Sequence, residues 1–259
     1  MNDVVRGISF HIKPGEVVGL VGESGSGKTQ TAFSVLGLLP PEAQVRAAAL
    51  TLADTPLVGC DRRSMRRLRG DTVAFIPQEP ASSLDPSFTI GSQLIEGLRS
   101  SESRGQKRQA ILAILDRVGI PDPLRTFRSY PHEISGGMAQ RVLIGGAIAA
   151  RPKLLIADEP TTALDVTIQA EILDLLRDLQ AEFGMAILLV THNFGVVADL
   201  CDRVIVMNSG RIVESGDIRS IFRSPHDPYT KALLDAILDE HTVRPARSGV
   251  PAAGTEAPR

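Results

Sequence analysis

The sequence predicts an α/β fold with a mainly parallel β-sheet. Short apolar runs recur along the chain, and segments with helical periodicity lie between them. Strands that alternate with helices are typical of parallel sheets covered on both faces. A glycine-rich loop directly follows one of these runs, as loops do at the carboxyl end of a parallel strand.

Five apolar runs are predicted to be buried strands, at residues 17–21, 73–76, 154–157, 186–190 and 203–207. Periodicity alone does not separate such runs from buried helix, but each is short and bounded by Gly, Pro or charged residues, which favours strand. A further strand is expected over residues 7–12, with Phe10 in the core, as an N-terminal antiparallel β segment. Helix is predicted where apolar residues share one face, at positions 168, 172, 175, 176 and 179 and at positions 112, 115 and 118.

Residues 90–150 are mostly helical in pattern and are predicted to form a helical insertion subdomain between two halves of the sheet. One domain is expected over residues 1–240. The tail, residues 241–259, is rich in Pro, Ala, Gly and Arg and is expected to be disordered. Residues 62–69 contain five arginines, for which a solvated helix face is favoured over a phosphate or partner contact.

The composition argues against several classes of protein, among them general nucleic-acid binders and membrane-spanning proteins. A net charge of −2 argues against a general electrostatic grip on nucleic acid. Cys60 and Cys201 fit neither a disulfide framework nor a Cys/His metal site. The chain has no apolar run of the roughly 18 residues that a membrane span requires, and its first residues lack a signal-peptide pattern. We therefore expect a cytosolic protein, with any membrane role exerted through a partner.

The glycine-rich loop reads as a phosphate-binding P-loop. Its eight residues are candidates to bind a nucleoside triphosphate: Gly22, Glu23, Ser24, Gly25, Ser26, Gly27, Lys28 and Thr29. The glycines let backbone N–H groups approach phosphate oxygens, and the N-terminus of the following helix adds partial positive charge. Lys28 would reach the β- and γ-phosphates, and the Thr29 hydroxyl would ligate Mg²⁺.

Two acidic residues follow a second predicted strand. Asp158 and Glu159 come directly after residues 154–157, so they are expected at the sheet edge that carries the P-loop. Asp158 is the second candidate magnesium ligand. Glu159 is the candidate catalytic base that orients and deprotonates an attacking water. The alternative, a strand that ends in two solvated acids, is disfavoured by the P-loop upstream.

From about residue 4 to residue 234 the sequence resembles the ATP-binding cassette subunits of ABC transporters. Further motifs stand in the order of that family: Ile-Pro-Gln at 76–78 resembles the Q-loop, Ile-Ser-Gly-Gly-Met-Ala-Gln-Arg at 134–141 the signature motif, Ala-Leu-Asp at 163–165 the D-loop, and Val-Thr-His at 190–192 the switch histidine. The signature motif is specific, because other P-loop ATPases lack it. The resemblance implies a P-loop NTPase core of the RecA-like type, ATP and Mg²⁺ as ligands, and ATP hydrolysis coupled to transport.

The resemblance also implies roles for individual residues. Gln78 would contact Mg²⁺ and the attacking water, and His192 would hold the γ-phosphate and the catalytic glutamate. Asp165 of the D-loop would belong to the nucleotide-binding residues.

The signature motif implies a second subunit. Ser135, Gly136 and Gly137 look like a helix N-cap with exposed backbone amides, which makes a second anion site. In the family this site closes on the γ-phosphate held by the P-loop of another chain. The expected partners are therefore a second ATPase subunit, identical or not, the membrane permease subunits and, indirectly, an extracytoplasmic substrate-binding protein. No nucleic-acid partner is expected, and the protein would be peripheral at the cytoplasmic face of the membrane.

Three segments resemble the oligopeptide, dipeptide and nickel importer ATPases of bacteria: the P-loop itself, residues 79–86 and residues 224–234. Peptide is favoured over nickel as the cargo. Asp227 stands where these proteins usually carry His before Pro-Tyr-Thr. Some relatives add a cysteine cluster after this segment, which this sequence lacks, so no iron–sulfur centre is expected.

The adenine ring lacks the support that the family usually gives it. A stacking aromatic would fall at or before Met1, and no Tyr or Trp precedes the P-loop. Either the start is late, with a first edge strand also missing, or adenine is held differently. Two other functions are alternatives to this interpretation. A soluble ABC protein of DNA repair or translation is disfavoured by the short insertion and the single cassette, and a P-loop kinase would leave Ser135, Gly136, Gly137 and His192 without a role.

Overall fold

The computed structural model describes residues 3–80, 82–98, 101–162 and 164–242. Within these ranges the strands are β1 (Val17–Val21), β2 (Thr51–Leu52), β3 (Thr55–Pro56), β4 (Val73–Ile76), β5 (Leu154–Asp158), β6 (Ala186–Thr191), β7 (Arg203–Asn208) and β8 (Arg211–Asp217). The five strands predicted as buried apolar runs are all present. Three of them, β5, β6 and β7, extend one residue further at their carboxyl ends.

Six strands form one sheet in the order β4-β5-β6-β1-β7-β8, and only the β7–β8 pair is antiparallel. The strand β1 lies between β6 and β7, with Val21 opposite Thr191 on one side and Val206 on the other. In β5, Asp158 lies opposite Val190 of β6. The carboxyl ends of β5, β6 and β1 therefore meet at one edge, where side chains from three segments can converge.

The helices are α1 (Lys28–Leu36), α2 (Arg62–Asp71), α3 (Ile90–Gly97), α4 (Arg104–Arg117), α5 (Pro123–Arg128), α6 (Gly136–Ile148), α7 (Val166–Phe183), α8 (Phe194–Leu200), α9 (Ile218–Arg223) and α10 (Pro228–Thr242), with a 3-10 turn at Pro131–Glu133. Four of them, α3 to α6, occupy the stretch predicted as a helical insertion. The apolar stripe at positions 168–179 lies on α7, as predicted. No helix in the described ranges combines the length and apolar character needed to cross a membrane.

The sheet has a hydrophobic cluster on each face. Val17 and Val21 of β1 belong to the larger cluster, with residues of the insertion and α7, whereas Val18 and Leu20 belong to the smaller one, with α1 and α2. This alternation follows from the two-residue repeat of a strand. Gly19, at the middle of β1, lies so close to α8 that a Cβ there would be 2.8 Å from the Val197 side chain.

Residues 7–12 form no strand, which corrects the sequence prediction. Phe10 does pack against the smaller cluster, as expected of a core residue. The backbone nearby is held by an Arg6 N–H that donates to the Gly210 carbonyl oxygen at 2.7 Å. The apolar pattern thus reflects side-chain burial rather than a ladder of backbone hydrogen bonds. The antiparallel pair of the N-terminal half is β2 with β3 instead.

Two further segments, residues 62–69 and the end of α10, bear on predictions made from the sequence. The arginine-rich residues 62–69 lie on α2, which Asp61 caps, and Arg69 donates to the Leu36 carbonyl oxygen at 3.0 Å. At the C-terminus, α10 continues through His241 and Thr242, past the point where the sequence predicts a disordered tail. The rest of that predicted tail, residues 243–259, lies outside the described residues.

Candidate functional site

The P-loop joins the central strand β1 to helix α1. It begins at Gly22, whose φ is 149° and where a Cβ would lie 2.1 Å from the Met207 carbonyl oxygen. Gly27, with a φ of 100°, is the N-cap of α1 and has no side chain to cap the helix. The N–H groups of the first turn of α1 are therefore available to an anion.

Lys28 is buried within the loop, with 6% of its surface exposed. Its Nζ donates to the carbonyl oxygens of Gly22 at 2.7 Å and Glu23 at 2.9 Å, and lies 3.4 Å from Ser26 Oγ. Burial lowers the pKa of the Lys28 ammonium, although nearby carboxylates, that of Glu159 foremost, oppose this effect. A phosphate beside the ammonium would offset the cost of burying its charge.

The two residues predicted to ligate magnesium are neighbours. Thr29 Oγ1 donates to Asp158 Oδ1 across 3.4 Å. Asp158 is 5% exposed. Burial raises the pKa of its carboxyl group and the negative charge of Glu159 raises this pKa further, whereas the hydrogen bond from Thr29 lowers it. Divalent cations take oxygen ligands and stabilise buried carboxylates, so this pair fits Mg²⁺.

Glu159 is the centre of a hydrogen-bond network. Its backbone is left-handed, with a φ of 48°, and its N–H donates to the Val190 carbonyl oxygen of β6 at 2.8 Å. Glu159 Oε2 accepts from Gln78 Nε2 at 3.1 Å and from Thr162 Oγ1 at 2.8 Å. Glu159 Oε1 lies 2.8 Å from His192 Nδ1. The structure thus brings together the three predicted catalytic residues.

The environment of Glu159 favours its ionised form. Burial alone would raise the pKa of its carboxyl group, but the hydrogen bonds from His192 and Thr162 and the positive charge of Lys28 lower it below its ordinary value. The carboxylate side chain is 15% exposed, and that of His192 is 61% exposed. An ionised carboxylate at this position is able to accept a proton from water.

Thr162 is a member of this network to which the sequence assigned no role. Its N–H donates to the Glu159 carbonyl oxygen at 3.1 Å, which closes a turn with Pro160 at the second position. Proline favours that position of a turn, and the turn brings the Thr162 hydroxyl back to the carboxylate. The Glu-Pro-Thr-Thr sequence was the signal that could have identified it.

The signature motif lies next to the first turn of α7, the helix that Asp165 caps. Ser135 caps α6 through its hydroxyl, and Asp165 caps α7 by accepting from the Ile168 N–H at 3.0 Å. A Cβ on Gly137 would lie 3.2 Å from the Ile168 side chain, whereas one on Gly136 would meet no atom within 4 Å. Among the described residues, no hydrogen bond joins either motif to the P-loop.

The sequence matches a known family and several of its members. Residues 5–162 match a family model described as ABC transporter. The chain is 50% identical over 238 residues to a putative peptide import ATP-binding protein of Brucella ovis and 47% identical over 232 residues to a dipeptide transport ATP-binding protein of Escherichia coli. Each alignment covers 89% of this chain, with 70% of the first relative and 71% of the second.

Solved structures share the fold. A dimeric ATP-binding cassette in a post-hydrolysis state, bound to ADP and Pi, matches with a TM-score of 0.72 at 28% identity, over 83% of this chain and 91% of that one. A part of an ABC transporter complex of Clostridium perfringens matches with a TM-score of 0.73 at 29% identity, over 85% and 84%. Since these matches agree with the P-loop, the acidic pair and the signature motif, the chain belongs to the ABC transporter family, as one of its ATP-binding and ATP-hydrolysing subunits.

Proposed function

We propose that this chain powers the import of di- and oligopeptides, as a peripheral subunit at the cytoplasmic face of the membrane. Proteins named for peptide import and dipeptide transport match it over 89% of its length, which supports this cargo class. Residues 79–86 and 224–234 resemble the same importers. Residues 1–240 would form the ATP-binding domain, with residues 90–150 as its helical subdomain.

The observation that carries the hydrolytic mechanism is the carboxylate of Glu159, which contacts with Gln78, Thr162 and His192 hold in place. We assign Glu159 the role of accepting a proton from the water that attacks the γ-phosphate. Gln78, which donates to the same carboxylate at 3.1 Å, would orient that water. His192 would hold both the carboxylate and the γ-phosphate, since one ring nitrogen already faces Glu159 at 2.8 Å.

Phosphate binding is assigned to the P-loop, residues 22–29. Lys28 would exchange the loop carbonyl oxygens for oxygens of the β- and γ-phosphates. Mg²⁺, when bound, would neutralise charge on those phosphates. Thr29, Asp158 and Gln78 are the residues proposed to hold it.

A second subunit would complete each ATP site. Ser135, Gly136 and Gly137 present backbone N–H groups at the start of α6, and the space beside Gly136 is open. One triphosphate does not readily use two anion sites of one chain, so these residues would serve the nucleotide of a partner ATPase, with Asp165 nearby. The permease subunits, and through them an extracytoplasmic binding protein, are the remaining proposed partners, and no nucleic acid is among them.

Affinity capture from solubilised membranes tests the transport assignment. A tagged Glu159→Gln chain with ATP should retain membrane permease subunits, and recovery of only ribosomal or DNA-bound proteins would overturn the proposal. Uptake of a labelled dipeptide, compared with labelled nickel, tests the cargo in a strain that lacks the gene. Wild-type chain should restore dipeptide uptake and Glu159→Gln should not, whereas restored nickel uptake alone would overturn the peptide assignment.

A further inference from the structure

The C-terminal segment returns to the P-loop. Tyr229, in the first turn of α10, accepts a hydrogen bond from the Glu23 N–H, with 3.0 Å between its hydroxyl oxygen and the nitrogen. The two residues are 206 positions apart in the chain. Because Glu23 follows Gly22 directly, the phenol holds the backbone at the point where β1 passes into the phosphate-binding loop.

A carboxylate fixes the chain ahead of Tyr229. Glu214 of β8 accepts from the N–H groups of His226 at 2.7 Å and Asp227 at 3.1 Å, and its side chain is 8% exposed. Burial would raise the pKa of Glu214, but hydrogen bonds, led by that of the His226 N–H, lower it. The carboxylate is therefore ionised, and it anchors the segment to β8, which pairs with β7 beside β1.

Asp227 sets the direction of Tyr229. Asp227 Oδ1 accepts from the Tyr229 N–H at 2.8 Å, and its carbonyl oxygen accepts from the Lys231 N–H at 3.1 Å. These two bonds are those of a helix N-cap, a position that favours Asp. The residue that departs from the usual His of similar proteins thus defines where α10 begins.

The Tyr229 ring packs against the larger core cluster and is half-buried. Burial raises the pKa of its phenol, so the hydroxyl stays protonated at physiological pH. The ring contacts and the hydrogen bond are separable, because Tyr229→Phe keeps the ring and removes only the hydroxyl.

We propose that Tyr229 is a positioning residue of the nucleotide site, which holds the Glu23 N–H and keeps the P-loop in the conformation that receives phosphate. The C-terminal segment is then a structural part of the ATP site. The inference rests on the proposed role of the P-loop. It predicts an effect on ATP affinity rather than on the chemical step, since the residues of the Glu159 network follow the carboxyl ends of β4, β5 and β6.

The experiment compares Tyr229→Phe with Tyr130→Phe, which removes the hydroxyl of the chain's only other tyrosine, 40% exposed and, within the described residues, not hydrogen-bonded to the P-loop. Loss of one neutral hydrogen bond corresponds to about threefold to tenfold in an equilibrium constant. Tyr229→Phe should raise the KM and Kd for ATP by that factor with little change in kcat, and should speed deuterium exchange in a peptide that covers residues 22–29. Tyr130→Phe should match the wild type in all of these measurements.

A Lys28→Ala chain separates failure of the inference from failure of the proposed function. If Lys28→Ala loses ATP binding but Tyr229→Phe keeps wild-type KM and exchange, the role of the P-loop stands and that of Tyr229 is rejected. A fall in kcat at constant KM in Tyr229→Phe would reject it as well. If Lys28→Ala binds ATP normally, both the P-loop assignment and the inference fall.

Discussion

Glu159→Gln should abolish most ATP hydrolysis and leave ATP binding intact. The network can receive the amide: its oxygen, in the place of Oε2, still accepts from Gln78 and Thr162, and its nitrogen can donate to Nδ1 of a neutral His192. What is lost is the proton acceptor. General-base catalysis contributes about 10²–10⁴-fold, or about 3–5 kcal/mol of activation free energy, and turnover should fall by that factor.

The assay is phosphate release in a single turnover, with ATP affinity measured by titration on the same preparation. Glu182→Gln is the matched control, because Glu182 is 45% exposed and pairs with Arg117 at 2.7 Å, and exposed ion pairs contribute about 1 kcal/mol or less to stability. Turnover of Glu159→Gln within about threefold of the wild type would refute the role of general base. Loss of ATP binding would refute the reasoning that the network accepts an amide.

Three other predictions follow from local geometry. Gly22→Ala should destabilise the fold by about 1–3 kcal/mol more than Gly59→Ala does, since its Cβ would meet a backbone oxygen of β7 at 2.1 Å. Gly59→Ala, also at positive φ but with no atom within 4 Å of the Cβ, should cost only about 1–2 kcal/mol of backbone strain, and equal losses in thermal unfolding would contradict the steric argument. Thr162→Ala removes a hydrogen bond that lowers the pKa of Glu159, so the acidic limb of the kcat/KM profile should move to higher pH, whereas Thr162→Ser should leave it in place. Cys60 should react with a maleimide in the native protein, while the other thiol, which is buried and has a raised pKa, should react only after denaturation; equal native rates would disprove this packing.

The strands of the sheet were predictable where both of their faces are buried. Burial on both faces requires continuous apolar runs, and β1 and β5 therefore stand out in the sequence. The edge strand β8 did not, because an edge position leaves it only partly buried, and polar and charged residues follow its two apolar positions, Ile212 and Val213. For residues 7–12 the sequence predicts a strand that the structure lacks, because Phe10 packs against the core although its backbone joins no sheet.

The site was predictable to the extent that its chemistry fixes residue types at strand ends. Glu159 and His192 each follow a buried strand, and the structure joins them as the motifs imply. Thr162 depends on a backbone turn, and the bond between Tyr229 and Glu23 depends on the path of the whole chain. Neither contact leaves a periodic signal in the sequence.

The hydrogen that serves as the side chain of Gly19 has a consequence for the catalytic histidine and for redesign of the core. It lets α8 rest directly on β1, and α8 begins two residues after His192, behind its Asn193 cap. A methyl group at position 19 would push the helix outward and shift the histidine relative to the phosphates. A position without any ligand contact is therefore coupled to catalytic geometry, and a substitution that fills the core there to gain stability would also alter the rate of hydrolysis.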